Sequence, residues 1–434
     1  MKKIVTLMLV LMLVLSMGTA LAEAPEKIIF WHSMSGVNGA TLTEIVDAFN
    51  ASQNKYEVVM EYQGSYTDTI TKLKSTPEGM RPDVVQLAET NTCWMAYSDY
   101  YIPMQQYLDA ANIQTSDYQE AILGYYTLND QLLSMPFNCS VPAIIYNVDV
   151  LKAAGIEPEQ LSTLDGVLAA SKTIVDKGLA LYGCTFNADG FVFENYFGTL
   201  GAQMVDANNG HSGVATKMVI DENGSAKVLF SKWLEMCKDD SVIAYATANE
   251  AKKEFSAGNV ALYIGSCGAF STLRSGAKGI FDVAIRALPK IHAEDAYNLT
   301  TGGGSLWIVN NGENTKNEGS FEFIKFTAST EMQVKWAMAT GYLPVSRRAQ
   351  ETEEYQAFLK DTFDFASVIA AMEESDAKKA GPLFGVTAAW RSALTNECML
   401  MLEDEGYTVD DCIATICEQV NDEIEVYNEA NNLI

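Results

Sequence analysis

Histidine, cysteine, serine and carboxylate side chains carry most protein chemistry, so their spacing is the first constraint on function. The 434-residue chain has three histidines, His32, His211 and His292, none beside a second histidine or a CxxC pair. The ligand spacing of a zinc site is therefore missing, and no metal or cofactor is expected. His32, alone and uncharged at neutral pH, reads as structural. Eight cysteines, at 93, 139, 184, 237, 267, 398, 412 and 417, are scattered rather than arranged as a dense framework. A disulfide is permitted but not implied, and Cys412 and Cys417, five apart on an expected helix, point at poor relative angles for one. There is no GxSxG, HExxH or GxxxxGK(S/T) motif. Gly302-Gly303-Gly304 precedes an expected strand, whereas the phosphate cradle of a dinucleotide site precedes a helix. A secreted hydrolase working through two carboxylates is an alternative that any acidic chain offers, but no pair stands out. Binding without catalysis is the class this inventory favours, so an enzyme is not expected.

The elements that would hold such a site alternate between strand and helix. Ile28 to Trp31 is a short apolar run, and Leu42, Ile45, Val46 and Phe49 then repeat at helical spacing. Val58, Met60 and Tyr62 alternate as a strand does, a short helix lies around Ile70 and Leu73, and Asp83 to Leu87 reads as another strand. This β-α-β-α-β order is that of a parallel sheet with crossover helices. Helical patterns follow at 93–97, 104–113 and 118–126. From Leu133 to Asn147 the chain is extended and interrupted by Pro136 and Pro142, which predicts a crossing between two lobes. A second α/β unit follows, with helices at 164–177 and 226–237 and a strand at Val260 to Ile264. Phe281 to Pro289 is expected to be another crossing strand. Thr301 to Val309 is a glycine turn feeding a strand, and helices at 321–326 and 332–339 precede a helical tail. There Ile413, Ile416, Cys417, Val420, Ile424 and Tyr427 form one apolar stripe, expected as core. A last crossing is expected near residue 345.

Hydrophobic residues make up 48% and charged residues 20%, the balance of a globular chain of one large or two ordinary domains. Lys and Arg number 29 against 56 Asp and Glu, a formal charge of -27. Such a field repels phosphate backbones and anionic bilayers, so neither nucleic acid nor a membrane surface is an expected partner. Lys2 and Lys3, the apolar stretch Ile4 to Met17 and Ala20-Leu21-Ala22 have the form of a secretory signal occupying residues 1–22. The stretch is shorter than the roughly 20 residues that span a bilayer. The first cysteine is Cys93, so no lipid-anchor cysteine follows the expected cleavage site. The mature chain is expected to be exported to a periplasm or cell exterior, free in solution and monomeric.

Seven segments, in this order, resemble a known pattern. They are Trp31-His32-Ser33-Met34-Ser35-Gly36, Tyr62-Gln63-Gly64-Ser65-Tyr66, Gln86-Leu87-Ala88-Glu89 and Pro136-Phe137-Asn138-Cys139-Ser140, then Tyr146-Asn147 with Lys152-Ala153-Ala154-Gly155, Gly302-Gly303-Gly304-Ser305-Leu306-Trp307 and Thr340-Gly341-Tyr342-Leu343-Pro344. The chain is similar to family 1 of extracellular solute-binding proteins, the substrate receptors of ABC importers. The resemblance implies an α/β, two-lobed periplasmic-binding-protein fold of type II, with discontinuous domains joined by hinge segments. The lobes would be residues 23–137 with 290–345, and 138–289 with 346–434. A small ligand in the cleft between them would drive closure, and membrane permease subunits would recognise the closed form.

Carried over by motif, the ligand-binding residues would be Tyr66, Glu89, Ser140, Ser266, Gly303, Tyr342 and Arg391. Their chemistry suits a glycerophosphate. Arg391 offers a planar fork for phosphate oxygens. Ser266, where a strand turns toward a helix, offers a hydroxyl and nearby N–H groups. Gly303 allows close backbone approach. Ionised Glu89 only accepts hydrogen bonds, so it suits vicinal hydroxyls at an end remote from the anion. Tyr66 and Tyr342 supply flat faces with polar tips. Ser140 and Ser266 have helix capping open to them as well, and Trp31, a further pocket-lining candidate, has core packing. Family members that hold glycerol-3-phosphate carry a Trp in a Lys-Thr-Trp segment after a Pro-Glu-Gln stretch. Here Pro158-Glu159-Gln160 is followed by Leu161-Ser162-Thr163-Leu164, so Leu164 is expected in that wall, and Cys267 stands where a second Ser is usual. The extra room favours a glycerophosphodiester such as glycerophosphocholine. The alternative ligand is a neutral sugar or oligosaccharide, which would not need Arg391.

Overall fold

The computed structural model describes residues 24–362 and 364–434. The expected signal sequence, residues 1–22, lies outside them. Among the described residues no helix is long and apolar enough to cross a membrane.

Two sheets organise the chain. In the first, Tyr56–Tyr62, Glu26–His32 and Val84–Ala88 run parallel, and Gly302–Val309 joins Val84–Ala88 antiparallel. Gly302–Val309 in turn pairs antiparallel with Met135–Ser140 and Tyr101–Ile102. In the second, Val242–Ile243, Tyr182–Thr185 and Val260–Ser266 are parallel, with Pro142–Asn147 antiparallel between Val260–Ser266 and Val283–Ala287. Helices cover these sheets through the apolar faces their spacing requires. Helix Gly36–Ser52 buries Leu42, Ile45, Val46 and Phe49, and helix Val409–Ala430 buries Ile413, Ile416, Cys417, Val420 and Ile424, with Tyr427 half-buried. Each large apolar side chain removed from water contributes roughly 1.5–3 kcal/mol, so these stripes fix which face each helix turns inward.

The sheets meet at one seam. Met135–Ser140 stays in the first sheet as far as Ser140, opposite Gly302, and after Val141 the chain enters the second sheet with Pro142 opposite Ser266. The change of sheet therefore falls at Val141. Phe281 to Pro289 is not itself a crossing: Val283–Ala287 is the outer strand of the second sheet, and the return to the first is made by the segment from Leu288 to Thr301. A third strand of chain passes the seam where the Leu343 N–H donates to the Cys139 carbonyl at 2.8 Å. Cys139 and Val141 are buried there. All eight cysteines are free thiols.

Candidate ligand-binding site

Because Ser140, Gly302, Gly303 and Ser266 meet at that seam, the ends of both sheets open onto one cleft of about 540 Å³. Tyr66, Glu89, Ser140, Ser266, Gly303, Tyr342 and Arg391 all line it. Residues separated by more than 300 positions thus share one cavity, of a size ordinary for small-molecule sites.

Tyr66 is the first residue of helix Tyr66–Ser75, whose start is fixed by a reciprocal cap between Ser65 and Asp68. Its hydroxyl accepts from the Asn138 side-chain amide at 2.8 Å. Asn138 is oriented in turn by the Gln86 amide at 2.8 Å, and Gln86 by the Ser33 backbone N–H at 3.0 Å. Gln86 and Asn138 are fully buried, so the relay holds the ring where the first sheet ends. Burial pushes the Tyr66 phenol well above its ordinary range. Tyr342 follows Gly341, which closes helix Thr330–Thr340 in the left-handed region at φ 82°. Its ring stacks on Trp336 with centroids 5.8 Å apart, and burial pushes its hydroxyl up to about 12. Ser140 ends a strand and caps no helix, whereas the Ser266 hydroxyl accepts from the Gly268 N–H at 3.2 Å as the cap of a short 3-10 turn. Gly303 has φ +92°, and a Cβ there would lie 1.8 Å from the Asn138 carbonyl oxygen. Only glycine permits this approach.

The charged part of the site departs from expectation. Arg391, on helix Thr387–Glu403, donates from Nη2 to Glu89 Oε1 at 3.0 Å. It also grips Glu194 twice, Nε to Oε1 at 2.9 Å and Nη2 to Oε2 at 2.8 Å, while the Trp390 indole donates to Glu194 Oε1 at 3.1 Å. The carboxylate assigned to a diol end and the guanidinium assigned to an anion end are therefore direct partners, not opposite poles. The reason is the fold: Glu89 leads the turn after Val84–Ala88 in the first sheet, and the helix bearing Arg391 reaches it across the cleft. Burial raises the Glu89 carboxyl, with Arg391 opposing and Glu194 adding to the rise. Burial disfavours the Arg391 charge, but Glu194 and Glu89 outweigh it and hold the guanidinium above its ordinary value. Among the described residues Nη1 bonds no protein atom, which leaves two of the five guanidinium donors for a ligand at a side chain 31% exposed.

Three expected wall residues do not face the cleft. Leu164 is fully buried as the first residue of helix Leu164–Asp176, capped by Thr163, so it opens no room for a ligand. Trp31 belongs to a buried cluster with Leu73, Val85, Leu87 and Trp307 and donates its indole N–H to Glu61 at 2.9 Å. Cys267 is fully buried with its backbone N–H on the Val141 carbonyl. The wall is instead completed by Asp189, Phe191, Lys252 and Tyr263, which the sequence reading did not single out. Asp189 caps helix Gly190–Thr199, its Oδ1 accepting from the Phe191 and Val192 N–H groups at 3.0 and 3.3 Å. Phe191 then lies against Gly302, where a Cβ would come within 2.5 Å of its ring. His32, read as structural, is buried outside this cleft wall, its Nδ1 accepting from the Met34 N–H.

Two α/β units joined through a seam, with convergent polar and aromatic groups between them, define a two-lobed binding protein. The chain belongs to the bacterial extracellular solute-binding protein family, whose family model matches residues 44–361. It is a solute-binding protein of that family. It is 30% identical over 347 residues to the sn-glycerol-3-phosphate-binding periplasmic protein UgpB of Yersinia pestis, covering 78% of this chain and 79% of that one. The UgpB of Escherichia coli K12 is also 30% identical, over 356 residues, with 79% and 80% covered. Among solved structures, UgpB of Mycobacterium tuberculosis in complex with glycerophosphocholine superposes with a TM-score of 0.75 at 19% identity, covering 93% of this chain and 100% of that one. The GacH receptor of Streptomyces glaucescens, solved unliganded and with acarbose, gives 0.75 at 18% identity, with 93% and 99% covered.

Proposed function

We propose that the cleft captures a glycerophosphate-type solute, glycerol-3-phosphate or a glycerophosphodiester such as glycerophosphocholine, for import. The observation that carries this reading is the contact between Arg391 and Glu89 at 3.0 Å, with Nη1 bonded to no protein atom among the described residues. A phosphoryl oxygen and the C2 hydroxyl of a glycerophosphate lie only a few bonds apart in one small molecule. A donor for the first and an acceptor for the second, side by side, match that geometry. The relatives named for glycerol-3-phosphate binding support the same class. Within it, charge favours the diester: Glu89, Asp189 and Glu194 surround or back the cleft against Arg391 and Lys252, so a dianion meets more repulsion than a monoanion or zwitterion.

Ligand contacts from both lobes make the closed form the one the solute selects, and the permease reads that form. The solute is handed on unchanged, without catalysis, by an exported monomer. A second reading, an oligosaccharide receptor, has Tyr66, Phe191, Tyr263 and Tyr342 in its favour, since aromatic rings also stack on sugar faces. Calorimetric titration with glycerophosphocholine, glycerol-3-phosphate and maltose separates the two. Glycerophosphate binding lost in Arg391→Ala supports the first reading. Saccharide binding that survives Arg391→Ala, with no heat from the phosphate esters, replaces it with the second.

A further inference from the structure

Arg391 is not the only cation at the cleft, and it is the more encumbered one. Three of its donors are committed to Glu89 and Glu194, so its charge is already compensated inside the protein. Lys252 also lines the cavity, and no carboxylate lies within ion-pair distance of its ammonium among the described residues. The local structure explains its aim. Helix Ala248–Ser256 is held by a reciprocal cap between Thr247 and Glu250 and buries Ala251 and Phe255 against the strand Val260–Ser266. Ala248 and Lys252, one turn apart, fall on the adjoining face, and both line the cleft. The start of this helix is tied to the sheet by the Asn187 side chain, which donates to the Thr247 carbonyl at 3.3 Å.

We propose that Lys252 is a specificity-determining ligand contact, the group that neutralises the anionic phosphoryl oxygen of the bound solute while Arg391 orients it. This rests on the glycerophosphate reading and sharpens it. An ammonium in a cleft without a paired carboxylate loses hydration and gains nothing until an anion arrives. Burial lowers the Lys252 pKa, and Asp189 only partly opposes that, which is the signature of such an uncompensated charge. A neutral saccharide would leave the ammonium unsatisfied. A phosphodiester supplies the missing anion and accepts from a flexible point-charge donor whose three N–H groups adapt to a tetrahedral oxyanion.

The test uses the purified full-length mature protein with glycerophosphocholine as probe. Lys252→Met, which keeps the stem and removes the charge, is expected to weaken calorimetric affinity by about 20-fold or more, and Lys252→Arg to stay within about fivefold of wild type. In the unmutated protein, saturating glycerophosphocholine is expected to slow acylation of Lys252 by an amine-reactive ester, read by peptide mass spectrometry, several-fold more than acylation of surface Lys325. Wild-type binding together with an unaffected Lys252→Met variant and unchanged Lys252 acylation overturns the assignment of Lys252 and leaves the glycerophosphate reading standing. Absence of any phosphate-ester binding by the wild type overturns both.

Discussion

Replacing Gly303 by alanine probes the seam from which the site is built. Gly303 has φ +92°, where an L side chain is strained by roughly 1–2 kcal/mol. Gly279, at φ +81° with no atom within 4 Å of its notional Cβ, isolates that backbone cost. At Gly303 the added methyl also meets the Asn138 carbonyl oxygen at 1.8 Å, and that carbonyl belongs to the paired strand Met135–Ser140. Neither side can yield without disturbing the pairing of Gly303 with Cys139 and of Gly304 with Asn138. Overpacking of this kind adds about 1–3 kcal/mol. Gly303→Ala should therefore cost about 3 kcal/mol against about 1 kcal/mol for Gly279→Ala, a difference visible as a urea midpoint lowered by roughly 0.5–1 M. Because Asn138 orients Tyr66, the alanine variant should also bind its ligand about tenfold more weakly, whereas Gly279→Ala should bind normally. Equal stability losses in the two variants, or a Gly303→Ala variant with unaltered affinity, would refute the close approach on which this reasoning rests.

Glu194→Gln should release Arg391 from its two-point grip. Allowing for solvent screening at the part-exposed arginine, the expected loss is about 2 kcal/mol in urea unfolding, with an affinity decrease of about tenfold. His32 is held down to about 4 by burial, against 6.5 when free. Between those values the unfolded chain takes up a proton that the folded one refuses, so stability falls as pH drops from about 6.5 to about 4. A His32→Gln variant should lose up to about 3 kcal/mol of that slope in pH-dependent urea titrations.

Much of the scaffold was readable because its elements obey simple periods. Leu42, Ile45, Val46 and Phe49 announce a helix, and the alternation of Val58, Met60 and Tyr62 announces a strand. The seven candidate ligand residues were carried over from the family resemblance, and all seven line the cleft. What stayed hidden has physical causes. Helix Gly190–Thr199 is buried on nearly every side, so it shows no amphipathic stripe to mark Asp189, Phe191 and Glu194 as site elements. Lys252 looks like one more surface charge in the Lys-Lys-Glu run of an exposed helix until the partner wall is in view. The misassignment of Leu164 came from counting along a segment: as the residue after the Thr163 cap it begins a helix, and its side chain turns into the core. The separation of Arg391 from Glu89 failed for a related reason, since two residues 302 positions apart in the chain carry no signal of a contact.

Phosphorus NMR addresses the central claim in one titration, because it reports on the phosphate itself and on any chemistry performed on it. As the purified protein is added to glycerophosphocholine, the account expects its single resonance to shift or broaden until one equivalent is bound, and the same compound to return after denaturation. A resonance that stays unperturbed at excess protein, or the growth of a glycerol-3-phosphate or inorganic phosphate signal, would contradict it.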